Sequence, residues 1–450
     1  MLKKIIFNLT SKPLVLFIVF FLYSFFMGLI FLEYIIPNVS SLHMQNSPLS
    51  PDSAYFNDVA IKLAEKINQN GWVNWELYPS TGASGASSFL AVFYVFFGEI
   101  PAFAIFFNAF FHAVSGILVY FITLKILSDN RLNKNIAFIS STLFVFFPSA
   151  MTWVGQIHKE SCLSAGIFLA LFATINIFSS LGGIREFFKC LLFALISLVL
   201  IASMKPYFLQ ILSLILLIIL LSQLCQILPV SFFKVCALSI FLFSSIFLFT
   251  QINIYGNSLW LSGESYLTPD VQKNFSWNET KYIPQVLDRK LKALASTRAA
   301  LINFGVATNA KSMIDVDRKP TSAIELIKYT PRAFQVSFLA PFPEKWFQTQ
   351  SLVNFISSLE MLTFYAAFIG LFFLIFKKKQ NIPLLCFWFA FIPLIIYGIA
   401  SPNVGTLYRV RYPFEMILLL LGLSGWAFMI NRIKLKKNFF LSFTNKFRSL

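Results

Sequence analysis

Ser50-Pro51-Asp52-Ser53-Ala54-Tyr55-Phe56-Asn57-Asp58-Val59-Ala60 is a polar stretch that follows an apolar run over residues 13–36. Its two carboxylates, Asp52 and Asp58, open an amphipathic helix that cannot enter a bilayer. Phe56, Val59, Ala60, Leu63 and Ile67 recur at helical spacing and give this helix one apolar stripe. The stripe predicts a helix lying on a membrane surface, and Asn70-Gly71 predicts its end. The side of the membrane on which this segment lies decides how the rest of the chain threads.

That a membrane is involved follows from composition. Of 450 residues, 57% are hydrophobic and only 12% charged, more apolar surface than a soluble chain of this length can bury. The fold class is therefore an all-α polytopic membrane protein. The formal net charge of +17 points to cytoplasmic loops and anionic lipid headgroups, and no block reads as a nucleic-acid-binding arm. Cys162, Cys190, Cys225, Cys236 and Cys386 sit in or beside apolar stretches without disulfide or metal spacing, so they read as small buried hydrophobes. No metal ligand or resident cofactor is indicated. The basic segment 1–12 leads into the first apolar run without a small-residue cleavage site and is expected to act as a retained signal anchor.

Apolar runs suited to spanning occur at 13–36, 101–127, 135–151, 161–181, 187–204, 206–228, 232–254, 353–376, 382–400 and 413–430, about ten in all. The run 87–98 is too short to cross and reads as an interfacial or re-entrant helix. With this count, Lys3, Lys4, Lys12, Lys125, Arg131, Lys134, Arg185, Lys189, Lys234, Lys377, Lys378, Lys379 and the tail Arg432, Lys434, Lys436 and Lys437 share one side. Few acids accompany them, so that side is cytoplasmic. The long loops 37–86 and 255–350 then face outward. Three units follow: an N-terminal membrane core over 1–254 containing the first outer loop, the outer loop 255–350, and membrane helices with a basic tail over 351–450. The second loop carries an amphipathic piece at 282–301, and its Pro331, Pro341 and Pro343 argue against a continuous helix and for rigid turns.

Candidate site residues are those whose charge is expensive where it stands. Asp52 either caps its helix or offers a fixed carboxylate for chemistry, and the two roles are compatible. Asp58 has Lys62 as an i,i+4 partner. His158, Lys159 and Glu160 crowd a very short outer loop between two spans. Glu160 also suits the positive end of the next helix, and Lys159 can snorkel. Arg409 and Arg411 lie outside against the positive-inside bias, beside Gly405 and Pro413, and read as an anion clamp. Lys205 is a further outward cation next to a span. Trp72, Trp75, Tyr78, Trp260, Tyr266 and Trp277 supply aromatic faces for sugars or for an interfacial belt. Asn108 and His112 are a polar pair within the second span, and ionisable residues are otherwise almost absent from the middle of the spans.

Asp52 with Ser53 and Tyr55 in a first outer loop after a signal anchor resembles the acidic motif of the integral-membrane GT-C glycosyltransferases. These include protein O-mannosyltransferases and the lipid A aminoarabinose transferase. Lys159-Glu160 before the fourth span and the arginine-bearing last outer loop are similar to the same enzymes. The resemblance covers roughly the first 200 residues best. Ser53 stands where a second acid would complete the acidic pair.

The resemblance implies a hexosyl- or pentosyltransferase of the plasma (inner) membrane, active on its extracytoplasmic face. It would use a polyprenyl-phosphate sugar donor and a glycan, lipid or protein acceptor in cell-envelope polysaccharide biosynthesis. In that scheme Asp52 and Glu160 are catalytic, and Tyr55, Asp58, His158, Lys159, Lys205, Arg409 and Arg411 bind substrate. Two alternatives share the span count: a polysaccharide polymerase or ligase with a diphosphate-linked donor, and a lipid-linked sugar transporter or flippase. The first outer-loop carboxylate favours transfer from a monophosphate. A transporter would need ionisable groups near the bilayer midplane.

Overall fold

The computed structural model describes residues 12–39, 49–79, 85–127, 131–179, 183–224, 232–255, 275–310, 312–346, 352–374 and 381–448. Trp260, Tyr266, Cys225, Lys3, Lys4 and Lys377–Lys379 lie outside the described residues.

The chain is all-α. Its helices are α1 (Pro13–Asn38, with a π-helical stretch at Phe31–Ile35), α2 (Pro51–Asn70), α3 (Gly85–Phe97), α4 (Ala102–Leu127), α5 (Arg131–Phe146) and α6 (Met151–Val154). There follow α7 (Glu160–Ser179), α8 (Ile184–Met204), α9 (Phe208–Leu224), α10 (Phe232–Tyr255) and α11 (Gln285–Ala307). The last are α12 (Ala323–Leu339), α13 (Leu352–Leu374), α14 (Asn381–Ala400) and α15 (Val404–Arg448). Among the described residues, extended pairing is limited to two isolated bridges.

Eight of these helices, α1, α4, α7, α8, α10, α13, α14 and α15, are long and apolar enough to cross a membrane, as a multi-pass protein requires. α5 and the segment Pro148–Val154 make a further span bent by 44°. α9 is apolar but shorter. The ten expected runs thus become eight long helices, one broken span and one short helix. The break falls at Phe147-Pro148, where proline withdraws a backbone donor and a 3₁₀ turn, Pro148–Ala150, takes over.

Close packing sets the frame. α13 lies along α15, α7 along α8, and α4 packs on α1, α5 and α7. Gly155, just before the short outer loop, permits that loop to rest on α1. A Cβ there would lie 2.7 Å from the Phe31 Cβ and 3.0 Å from the Gly28 carbonyl.

Three expectations change. The apolar stripe of α2 (Phe56, Val59, Ala60, Leu63, Ala64, Ile67) is buried within the protein, with α3 packed against α2, so it does not face lipid. Trp75 Nε1 donates to the Ser88 carbonyl at 3.2 Å, and Tyr94 donates to Asn57 Oδ1 at 2.6 Å, locking the α2–α3 hairpin. Gly71, with φ +82°, ends α2 as expected. Pro331 sits inside α12 instead of breaking it. Proline there leaves the Ile327 carbonyl, one turn back, without its helical donor. The final span begins at Val404, and Pro413 lies within it. Arg409 and Arg411 therefore stand on a helix, not in a loop.

Candidate functional site

Six charged or titratable side chains from five segments converge. α2 starts at Ser50, whose extended backbone makes it the N-cap, with Pro51 next. Asp52 is thus in the first turn and is not the cap. The Ser50 and Ser53 hydroxyls both reach Gln156 Oε1, the latter at 3.2 Å. These bonds tie the start of α2 to the loop between α6 and α7. Within that loop, Asn108 of α4 donates to the carbonyls of Gln156 at 2.6 Å and of Trp153 and Val154 at 3.3 Å. His112 lies 3.3 Å from the Val145 carbonyl and stacks on Phe144. The polar pair of the second span therefore braces neighbouring backbone.

The loop delivers His158, Lys159 and Glu160 opposite Asp52. Glu160 is the hub, 4% exposed. Its Oε1 meets Lys205 Nζ at 3.2 Å and Arg409 Nε at 3.4 Å, and its Oε2 meets His158 Nδ1 at 3.3 Å. The same oxygen accepts from the Lys159 backbone N–H at 3.2 Å. Arg409 Nη1 continues to Asp52 Oδ2 at 2.5 Å. Lys159 is half-buried, with Nζ 5.2 Å from the centre of the Phe56 ring. Lys205 comes from the residue after α8 and Arg409 from the second turn of α15, so the ends of α7, α8 and α15 meet the loop and the start of α2.

The electrostatics follow from this crowding. Burial raises the Asp52 pKa, but the charge and hydrogen bond of Arg409 outweigh it, and Asp52 stays below the ordinary carboxylate range. Burial, then the charge of Lys205, lowers Lys159 to about 8. Burial also disfavours the Lys205 ammonium, but Tyr207 and Glu160 overcome it and hold Lys205 above the usual lysine value. Arg409, Lys205 and Lys159 thus stand against two carboxylates, with the His158 ring beside Glu160. The cluster has a surplus of positive charge and one half-exposed carboxylate, Asp52, at 51% side-chain exposure. It can bind an anion and offer a base beside it. An apolar crevice lined by Phe89, Phe93, Phe103 and Phe107 between α3 and α4 ends on Asn108 and His158.

Other expected residues lie elsewhere. Arg411 is fully buried. It pairs with Glu415 at 2.9 Å and donates to the Ser337 carbonyl at 3.0 Å, capping the C-terminus of α12. Positions i and i+2 on a helix point about 200° apart, so Arg409 and Arg411 cannot form one clamp. Asp58 bonds Lys62 at 2.7 Å on an exposed face. Tyr55 is exposed, with its ring beside Phe56. Trp75, Tyr78 and Trp277 donate to the Ser88 carbonyl, the Ala202 carbonyl and Asp288.

Glu360 and Glu415 were not singled out in the sequence. With Arg411 they form a buried ionisable group inside the spans, which corrects the expectation that such residues are almost absent there. The i,i+4 spacing of Arg411 and Glu415 was the available signal. Among the described residues, no group of three or more His, Cys, Asp and Glu is placed to hold a metal ion.

No family model matches this chain, and no curated protein matches it. Among solved structures, the crystal structure of the Archaeoglobus fulgidus oligosaccharyltransferase in the apo form is similar at 12% identity with a TM-score of 0.47. The similarity covers 95% of this chain and 52% of that one, so the chain spans about half the length of that structure.

Proposed function

We propose that this chain is an integral-membrane glycosyltransferase. It moves a hexose or pentose from a polyprenyl-phosphate carrier to a hydroxyl of a glycan, lipid or protein acceptor. The site faces away from the cytoplasm at the plasma (inner) membrane, and the reaction serves cell-envelope polysaccharide assembly. The observation that supports this reading is the cation surplus around Glu160, set directly beside the half-exposed Asp52.

Arg409, Lys159 and Lys205 bind the donor phosphate and meet the charge that develops as it leaves. Asp52 accepts the acceptor's hydroxyl proton while the new bond from oxygen to the anomeric carbon forms and the bond to the phosphate oxygen breaks. General-base assistance of this kind typically contributes about 10²–10⁴-fold. Glu160 positions the cations and lowers their mutual repulsion. Phosphate engaging Arg409 releases Asp52 from its resting partner, and burial then raises its basicity.

The test is consumption of purified, radiolabelled polyprenyl-phosphate sugars by the protein in nanodiscs, with Asp52→Asn alongside. Donor consumption that disappears in Asp52→Asn, with folding intact, is the expected result. Full activity in that variant removes Asp52 from the mechanism. Consumption of diphosphate-linked donors alone replaces the reading with a polymerase or ligase. Flux of intact lipid-linked sugar across the bilayer, without transfer, replaces it with a flippase.

A further inference from the structure

Glu360 of α13 is 4% exposed, and its hydrogen-bond partners are Ser149 and Tyr408. A carboxylate in an apolar helix is costly, and a leucine would pack the span at less expense. Both of its oxygens are engaged. Oε1 accepts from the Ser149 backbone N–H at 2.6 Å, and Oε2 accepts from the Tyr408 hydroxyl at 2.6 Å.

These two partners are far apart in sequence, and each leads to a different half of the site. Ser149 lies in the 3₁₀ turn at the 44° break, from which the chain runs through α6 into His158, Lys159 and Glu160. Thr152 bonds back to the Ser149 carbonyl at 2.7 Å, stiffening that turn. Tyr408 immediately precedes Arg409 on α15. The same turn of α15 is held on its far side by Arg411, whose guanidinium lies 4.5 Å from the Tyr408 ring and whose Nη1 reaches the Ser337 carbonyl. A second brace fixes the residues just before: Val404 N–H donates to the Ser312 carbonyl at 2.9 Å, and Ile314 N–H to the Pro402 carbonyl at 2.8 Å. The start of α15 is thus held by several contacts, and Glu360 joins it to the turn that leads into the loop of Glu160.

We propose that Glu360 is a positioning residue. It sets Arg409 and the His158–Glu160 loop in register, so that the Arg409 guanidinium can serve the donor phosphate. This rests on the proposed role of Arg409 in donor binding.

The experiment is a double-mutant cycle read by titration with farnesyl phosphate in detergent, on full-length protein. Glu360→Ala removes both bonds. Glu360→Gln keeps them, because the amide oxygen can accept from Ser149 while the NH₂ donates to the Tyr408 oxygen. Glu360→Ala is expected to bind about tenfold more weakly, the change for one lost charge-assisted contact. Glu360→Gln should bind as wild type does. In an Arg409→Gln background, Glu360→Ala should cause no further loss, because the contact it positions is already gone.

An equal loss in both backgrounds would make Glu360 merely structural and overturn the proposal. So would wild-type affinity in folded Glu360→Ala. If Glu360→Ala does not fold, Tyr408→Phe carries the same cycle: weakening that vanishes in Arg409→Gln supports the proposal, and unchanged affinity overturns it. If Arg409→Gln alone binds like wild type, the donor-binding reading itself fails and takes this proposal with it.

Discussion

Arg409→Gln is the most informative substitution in the site. The wild-type guanidinium bridges Asp52 at 2.5 Å and Glu160 at 3.4 Å. Glutamine removes the charge and, on the proposed function, a charge-assisted contact to the donor phosphate worth about 1.5–3 kcal/mol. That corresponds to a donor Kd roughly ten- to 150-fold higher. Lysine keeps the charge but loses the planar fork, so Arg409→Lys should fall between wild type and Arg409→Gln. Thermal stability should change little, since the Asp52 pair is half-exposed and such pairs contribute about 0–1 kcal/mol.

The pH profile supplies an independent sign. Asp52 works as a base only when ionised, so activity falls as pH drops through its pKa. Arg409 now holds that pKa below the ordinary value. Without Arg409, burial acts with less opposition, the pKa rises, and the acid limb of kcat/KM moves to higher pH. Farnesyl phosphate titration and a pH–rate profile measure both effects. Wild-type affinity with an unmoved acid limb would refute the reasoning at Arg409 and return the phosphate to Lys159 and Lys205.

Arg411→Gln should behave in the opposite way: it strands Glu415 in the protein interior, lowering stability by about 3–5 kcal/mol in a thermal melt, with donor affinity per folded molecule unchanged. Loss of donor affinity without loss of stability would restore Arg411 to the site. Lys159 is a cation below about 8 and neutral above it, so kcat/KM should decline as pH rises through 8, and Lys159→Gln should abolish that limb while lowering the plateau. An unchanged alkaline limb in Lys159→Gln would assign it to another group. Single cysteines placed at 58 and 185 in a cysteine-free background should label from outside and inside respectively; external labelling at 185 would sink the proposed sidedness.

Much of the site was visible in the sequence because charge next to a span is expensive. Asp52, His158, Lys159, Glu160, Lys205 and Arg409 all flank apolar runs, and each is hard to explain by solvation alone. Their meeting depends on tertiary packing that periodicity does not encode, such as the seating of Gly155 on α1 and the Gln156 bonds to Ser50 and Ser53. The pairing of Arg409 with Arg411 failed for a definite reason. Pro413 was read as the head of the last span, whereas the helix starts at Val404, and on a helix the two arginines diverge. The burial of the α2 stripe went unseen because lipid and a neighbouring apolar helix attract the same stripe. Glu360 escaped notice because its two partners, a backbone N–H and a tyrosine, leave no charge pattern.

The charge balance of the cluster joins these pieces. Arg409, Lys205 and Lys159 would repel one another strongly if brought together alone in a partly dry site. Glu160, buried among them, makes their proximity tolerable, and for that reason it is poorly placed to act as the base. Asp52 adds a second negative charge, but from the exposed side and through one partner, Arg409. In the resting protein this carboxylate occupies the position on Arg409 that the proposed function gives to a phosphate oxygen. On that proposal a donor phosphate exchanges with Asp52 and does not simply add to it. The exchange keeps the cations satisfied and leaves Asp52 unpaired where an acceptor hydroxyl can approach. On the proposed function donor binding precedes acceptor activation, because until the phosphate arrives Asp52 is held by the same guanidinium that the phosphate needs.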